Sequence, residues 1–154
     1  MTENVYEDRF IRFSITMDTV LKKIQKYKND RLIAYGLRSM HLMPMYCLFK
    51  EHNGLTAVDL AKKCSVDKAF ISRITGDLKE LGYVDYTEKN TSAQYKKHLC
   101  LTDEGKNVMK KVDDLIGEAV EIVTRGIPTE EIRTFYNVLN AFDNNLIALT
   151  GDNA

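Results

Sequence analysis

The chain has 154 residues, 29% of them charged and 44% hydrophobic, with 22 Lys/Arg balanced by 22 Asp/Glu. That length suits one compact domain with a real core, and the neutral total excludes indiscriminate coating of nucleic acid while leaving room for a local basic patch. No run of about 18 apolar residues is present to span a membrane, and the polar, acidic start MTENVYEDRF is unlike a signal peptide, so the expected location is the cytoplasm.

In chain order, the first predicted helix runs from about Glu7 to Tyr27. Phe10, Phe13, Met17, Val20, Ile24 and Tyr27 recur at three- and four-residue spacing, and Ile11, Ile15 and Leu21 widen the stripe. This is more apolar surface than one small neighbour covers, which predicts packing toward its own domain and toward a partner chain. Asn29-Asp30 is expected to end the helix, with four lysines crowding its last turns. A second helix is expected from Ser39 to Glu51. Pro44 implies either a start close to it or a bend, and an apolar surface nearly all round makes this segment the expected centre of the fold.

Thr56 and Asp67 read as N-caps of two short helices joined by the turn Cys64-Ser65-Val66, and Gly82 as the left-handed cap that ends the second. In that second helix, 68–81, Ile71, Ile74, Leu78 and Leu81 form one stripe. Lys68, Ala69, Ser72, Arg73 and Gly76 occupy the other side. A helix with an apolar docking face and a compact polar face suits a DNA major groove. The period then changes to two. Strands are predicted at Tyr83–Glu88 and Gln94–Leu101 around a polar turn, with Leu99 and Leu101 on one face and His98 and Cys100 on the other. Thr102 caps a long helix to about Thr124, and Thr129 is expected to cap the last. The predicted fold is mainly α with a small β-hairpin wing, a winged helix-turn-helix with N- and C-terminal dimerisation helices. Residues 1–38 are read as the N-terminal helix used in dimerisation, 39–105 as the winged domain and 106–154 as C-terminal dimerisation helices, in one compact domain overall.

Other chemistries find little support. Cys47, Cys64 and Cys100 are odd in number and lack a Cys-x-x-Cys pair, and His41, His52 and His98 are equally scattered. No metal site or cofactor is expected, and Cys47 and Cys64 read as small buried hydrophobes. There is no glycine-rich phosphate loop and no Gly-x-Ser-x-Gly elbow, so no catalytic residue is assigned and the chain is not read as an enzyme.

The ordered stretches Gly54-Leu55-Thr56, Leu60-Ala61, Asp67-Lys68-Ala69-Phe70-Ile71-Ser72-Arg73, Leu78-Lys79-Glu80-Leu81-Gly82-Tyr83-Val84 and Leu101-Thr102-Asp103-Glu104-Gly105 resemble those of the multiple-antibiotic-resistance regulator (MarR) family of bacterial transcription factors. The resemblance covers nearly the whole chain. It implies a homodimer whose two winged lobes face successive major grooves of a pseudo-palindromic operator. It also implies control of nearby genes, with repression the expected sign, relieved by a small, often aromatic, ligand between the lobes. One departure stands out. Where family wings carry an Asp-x-Arg or Asp-Arg-Arg motif, this chain has Thr91-Ser92-Ala93-Gln94-Tyr95-Lys96-Lys97.

On this reading Ser72 and Arg73 face base edges, since arginine pairs with guanine O6 and N7 through two bonds. Ala69 and Phe70 meet a thymine methyl, unless Phe70 tucks inward. Lys68 and Thr56 meet phosphate, Thr56 with the help of a helix N-terminus. In the wing, Lys89, Lys96 and Lys97 contact the backbone and Gln94 hydrogen-bonds in the groove. Phe13, Met17, Met40, His41, Met43 and Tyr46 are the candidate lining of a ligand pocket. The alternative from another class is a winged-helix module that docks a protein or an RNA, and charge on the docking face discriminates the two. The lobe 55–105 holds eight basic and eight acidic residues, so any positive patch is local.

Overall fold

The computed structural model describes residues 5–89 and 96–151. Its elements are α1 (Val5–Leu32), a 3-10 turn (Ile33–Tyr35), α2 (Ser39–Lys50), α3 (Ala57–Cys64), α4 (Lys68–Glu80), β1 (Val84–Lys89), β2 (Lys96–Leu101), α5 (Asp103–Val123) and α6 (Thr129–Thr150). The order is the one the periodicity predicts: mainly helix, with one antiparallel hairpin after a helix-turn-helix. The chain divides into two compact units, 1–110 and 111–154.

Several boundaries differ from expectation for local reasons. Asn29-Asp30 does not end α1. Asp30 pairs with Lys26 one turn back at 2.6 Å, and Asn29 Oδ1 accepts the Ser39 N–H at 2.8 Å, so both polar residues are satisfied inside the helix. The helix closes where Gly36 turns left-handed, with the Leu37 N–H donating to the Leu32 carbonyl. Helix α2 does start at Ser39 as expected, five residues before Pro44, and carries that proline as a buried residue. Its apolar surface is not all inside: His41, Pro44, Met45 and Leu48 are buried, whereas Met40 and Met43 are exposed. Thr129 is the first residue of α6 rather than its cap, the N-cap being Pro128.

The first unit has a continuous core. Met45 and Leu48 of α2, Leu60 of α3, Ile71, Ile74 and Leu78 of α4, Val84 of β1, Leu99 and Leu101 of β2, and Val108 and Met109 of α5 are all buried. At roughly 1.5–3 kcal/mol for each large side chain removed from water, this cluster dominates the stability of the lobe. Leu81, expected on the same stripe, lies at its rim and is exposed.

The wing pairs in register from Val84↔Leu101 to Lys89↔Lys96, which turns Val84, Leu99 and Leu101 to the core as the alternation requires. Leu55 adds a third, one-residue strand. Its N–H donates to the Leu99 carbonyl at 3.0 Å and its carbonyl accepts the Leu99 N–H at 2.7 Å. Gly54 is required for that approach, because a Cβ there would run into Cys100 Sγ and the Leu99 carbonyl oxygen. Thr102 ties the far end of the hairpin to α5. Its hydroxyl caps the Gly105 N–H at 3.0 Å and donates to the Gly82 carbonyl at 2.6 Å. Gly105 sits against the Tyr83 carbonyl, with no room for a Cβ.

In the second unit, α6 buries no residue, and Phe135, Tyr136, Val138, Phe142 and Leu149 are exposed.

Candidate nucleic-acid interface

Helix α4 is held in place before its outer face is considered. Asp67 accepts the Phe70 N–H at 2.6 Å, and the preceding Ser65 adopts a left-handed backbone (φ 53) that closes α3. At the other end the Tyr83 N–H donates to the Leu78 carbonyl around Gly82, the predicted left-handed cap (φ 74). Ile71, Ile74, Thr75 and Leu78 are buried. Rotation of α4 about its axis is therefore fixed by packing, and Lys68, Ala69, Ser72, Arg73 and Gly76 all stand exposed on the opposite side.

Phe70 is half-buried, and the Arg73 guanidinium lies 5.4 Å from its ring centroid, one turn along the helix. The ring thus supports the arginine from below. Among the described residues, neither Lys68 nor Arg73 forms an ion pair, so both cations are available to an anionic partner. Asp77 and Glu80 are also exposed further along α4, which confines the positive patch to its first two turns.

Thr56 is an N-cap as expected, but its hydroxyl is fully engaged. It accepts the Asp59 N–H at 3.1 Å and donates to the Asp59 carboxylate at 2.7 Å. Lys97 is exposed on β2. Gln94 and the side chains of Lys89 and Lys96 lie outside the described residues. The base of the wing is braced from α4: Lys79 reaches Asp85 at 3.4 Å and sits 4.7 Å over the Tyr86 ring. The Tyr86 N–H, then the Lys79 hydrogen bond and charge, hold the Asp85 carboxyl below its ordinary range.

His41 is 4% exposed and joins two elements. Its Nδ1 accepts the Arg38 N–H at 3.0 Å, which leaves the proton on Nε2 to donate to Asp77 of α4 at 3.3 Å. The helix that carries Arg73 is thereby tied to the start of α2. A cavity of about 530 Å³ opens beside this link, lined by Gly36, Arg38, His41, Asp77, Glu80 and Leu81. Of the six residues expected to line a pocket, only His41 belongs to it. Phe13, Met17 and Tyr46 are half-buried, and Met40 and Met43 face outward. Sequence reading missed the His41–Asp77 link, the Leu55–Leu99 pairing and a close approach of Cys47 to Cys64. Each joins residues far apart in the chain, and no local pattern marks such pairs.

Among the described residues, no group of three or more His, Cys, Asp or Glu is placed to hold a metal ion, and no helix is long and apolar enough to cross a membrane.

Solved structures with this arrangement of helices and wing are numerous. A MarR protein from Peptoclostridium difficile is 18% identical with a TM-score of 0.76, the match covering 95% of this chain and 92% of that one. S. aureus MepR, solved as a DNA complex, is 15% identical with a TM-score of 0.79, covering 87% and 98%. CouR from Rhodococcus jostii RHA1, solved with p-coumaroyl-CoA, is 18% identical with a TM-score of 0.70, covering 84% and 90%. No protein-family model and no curated protein sequence matches the chain. The fold is thus the winged helix-turn-helix of MarR family transcriptional regulators.

Proposed function

We propose that the chain is a sequence-specific regulator of transcription that binds double-stranded DNA as a homodimer, reads a pseudo-palindromic operator and represses nearby genes. The observation that carries this reading is α4, whose apolar side is locked in the core while Lys68, Ala69, Ser72 and Arg73 stand exposed, in a fold of which one solved example holds DNA. Arg73 and Ser72 read base edges, Phe70 positions Arg73, and Lys68 and Lys97 neutralise phosphate. Lys89, Lys96 and Gln94 complete the wing contact. Thr56 acts chiefly as the helix cap that orients α3, because its hydroxyl proton is already given to Asp59.

Dimerisation is supported by the apolar residues left exposed on the outer helices, Phe10, Ile11 and Ile15 of α1 and Phe135, Tyr136 and Phe142 of α6. A small ligand near α2 relieves binding; CouR bound to p-coumaroyl-CoA supports that part of the reading. The test is a gel-shift titration with DNA from around the gene over a range of salt concentrations. Arg73→Ala is expected to cost about 1–3 kcal/mol of specific binding. Lys97→Ala should weaken all sequences alike and flatten the salt dependence. Equal operator affinity for Arg73→Ala and wild type would remove α4 from the interface, and a monomer in light scattering at micromolar concentration would remove the dimer.

A further inference from the structure

Cys47 on α2 and Cys64, the last residue of α3, stand with their sulfurs 3.9 Å apart, and the Cys64 thiol is directed at Cys47. Both residues are half-buried and free. Beside them a second link joins the same two elements: Lys63 of α3 reaches Glu51, the C-cap of α2, at 2.7 Å. The third cysteine, Cys100, belongs to β2 and lies 3.3 Å from the Thr87 hydroxyl. Of the three, only Cys47 and Cys64 form a thiol–thiol contact among the described residues.

We propose that Cys47 and Cys64 are a dithiol site that low-molecular-weight disulfides convert to an intrachain disulfide, tying the end of α3 to α2. Cys47 attacks the small disulfide, forming a mixed disulfide and releasing one small thiol. Cys64 then attacks the Cys47 sulfur and releases the second. Two protein thiols are oxidised, one small disulfide is reduced, and the two protons leave with the two small thiols. Closure needs the sulfurs to approach by roughly 2 Å to reach disulfide bond length. The ion pair between Lys63 and Glu51 already holds the two helix ends together, so much of that approach falls to side-chain rotation.

Burial, then the charge and hydrogen bond of Cys47, push the Cys64 thiol up to about 12. That disfavours Cys64 as the first nucleophile.

The experiment is equilibration of the full-length protein with oxidised glutathione, alkylation of remaining thiols, and peptide mapping by mass spectrometry without reduction. The expected product links the Cys47 and Cys64 peptides with loss of two hydrogens, leaves Cys100 alkylated, and reverts with excess reduced thiol. Cys64→Ser should instead trap the mixed glutathione disulfide at Cys47. If Cys47 and Cys64 are both alkylated after oxidation, or if the linkage runs through Cys100 or between chains, the proposal is overturned. The wild-type map decides this whether or not the variant folds, and it does not depend on DNA binding.

Discussion

Helices α4 and α6 are both amphipathic, yet the chain treats them in opposite ways. Ile71, Ile74 and Leu78 of α4 are all but inaccessible to water, while no residue of α6 is buried and Phe135 is 55% exposed. The difference teaches how to read an amphipathic pattern. It says that a face must be covered but not by what. For α4 the cover is the rest of its lobe, and only the polar face remains for a partner. For α6 the apolar face itself remains, and on the proposed reading a second copy of the chain covers it.

The largest expected effect that sharpens this contrast is Ile71→Ala, which should cost about 2–4 kcal/mol in denaturant unfolding at any protein concentration. The matching change Phe135→Ala should stay within about 0.5 kcal/mol in dilute protein. Its cost should grow with concentration as the dimer forms. Equal losses for the two at every concentration would mean that the Phe135 ring packs inside its own chain, and the contrast would fail.

Gly105→Ala comes next, at about 1–3 kcal/mol, since its methyl group must displace the Tyr83 carbonyl or the start of α5. An unchanged denaturation midpoint would show that this junction gives more easily than a packed lobe should. Tyr83→Phe removes the hydroxyl that donates to the Tyr35 carbonyl at 2.8 Å and should cost about 1 kcal/mol. Burial, then the charges of Glu104 and Tyr35, raise the Tyr83 hydroxyl above its ordinary value. Its contribution is therefore complete below that ordinary value, about 10, and is lost as pH rises through the higher folded value. An alkaline titration of stability should show a shallower decline in Tyr83→Phe than in wild type. Smallest is Ser65→Gly, expected to stabilise by about 0.5 kcal/mol, because relief of the left-handed backbone slightly exceeds the added freedom of the unfolded chain. A loss of stability there would point to a contact of the serine side chain.

Much of the placement of α4 was legible in the sequence. The spacing of Ile71, Ile74 and Leu78 identified the inward side of α4 and so placed Lys68, Ser72 and Arg73 outward. Asp67, Gly82 and Thr102 marked element ends because capping is local chemistry, satisfied within three or four residues. Asn29-Asp30, polar residues of a kind that often ends helices, continue α1 instead because they find Ser39 and Lys26 as partners. Met40 and Met43 are exposed although their segment is apolar nearly all round, because composition does not say which side of a helix is covered.

By itself the sequence determined the element order, the caps at Thr56, Asp67 and Thr102 and the buried face of α4, since all of these follow from side-chain period and short-range hydrogen bonding. Only tertiary structure decided that Leu55 pairs with Leu99, that His41 fastens α2 to Asp77, and that Cys47 meets Cys64 across 17 residues. Such contacts depend on how whole helices pack against one another. Packing is settled by the fit of many side chains at once, so no short stretch of sequence carries its signature.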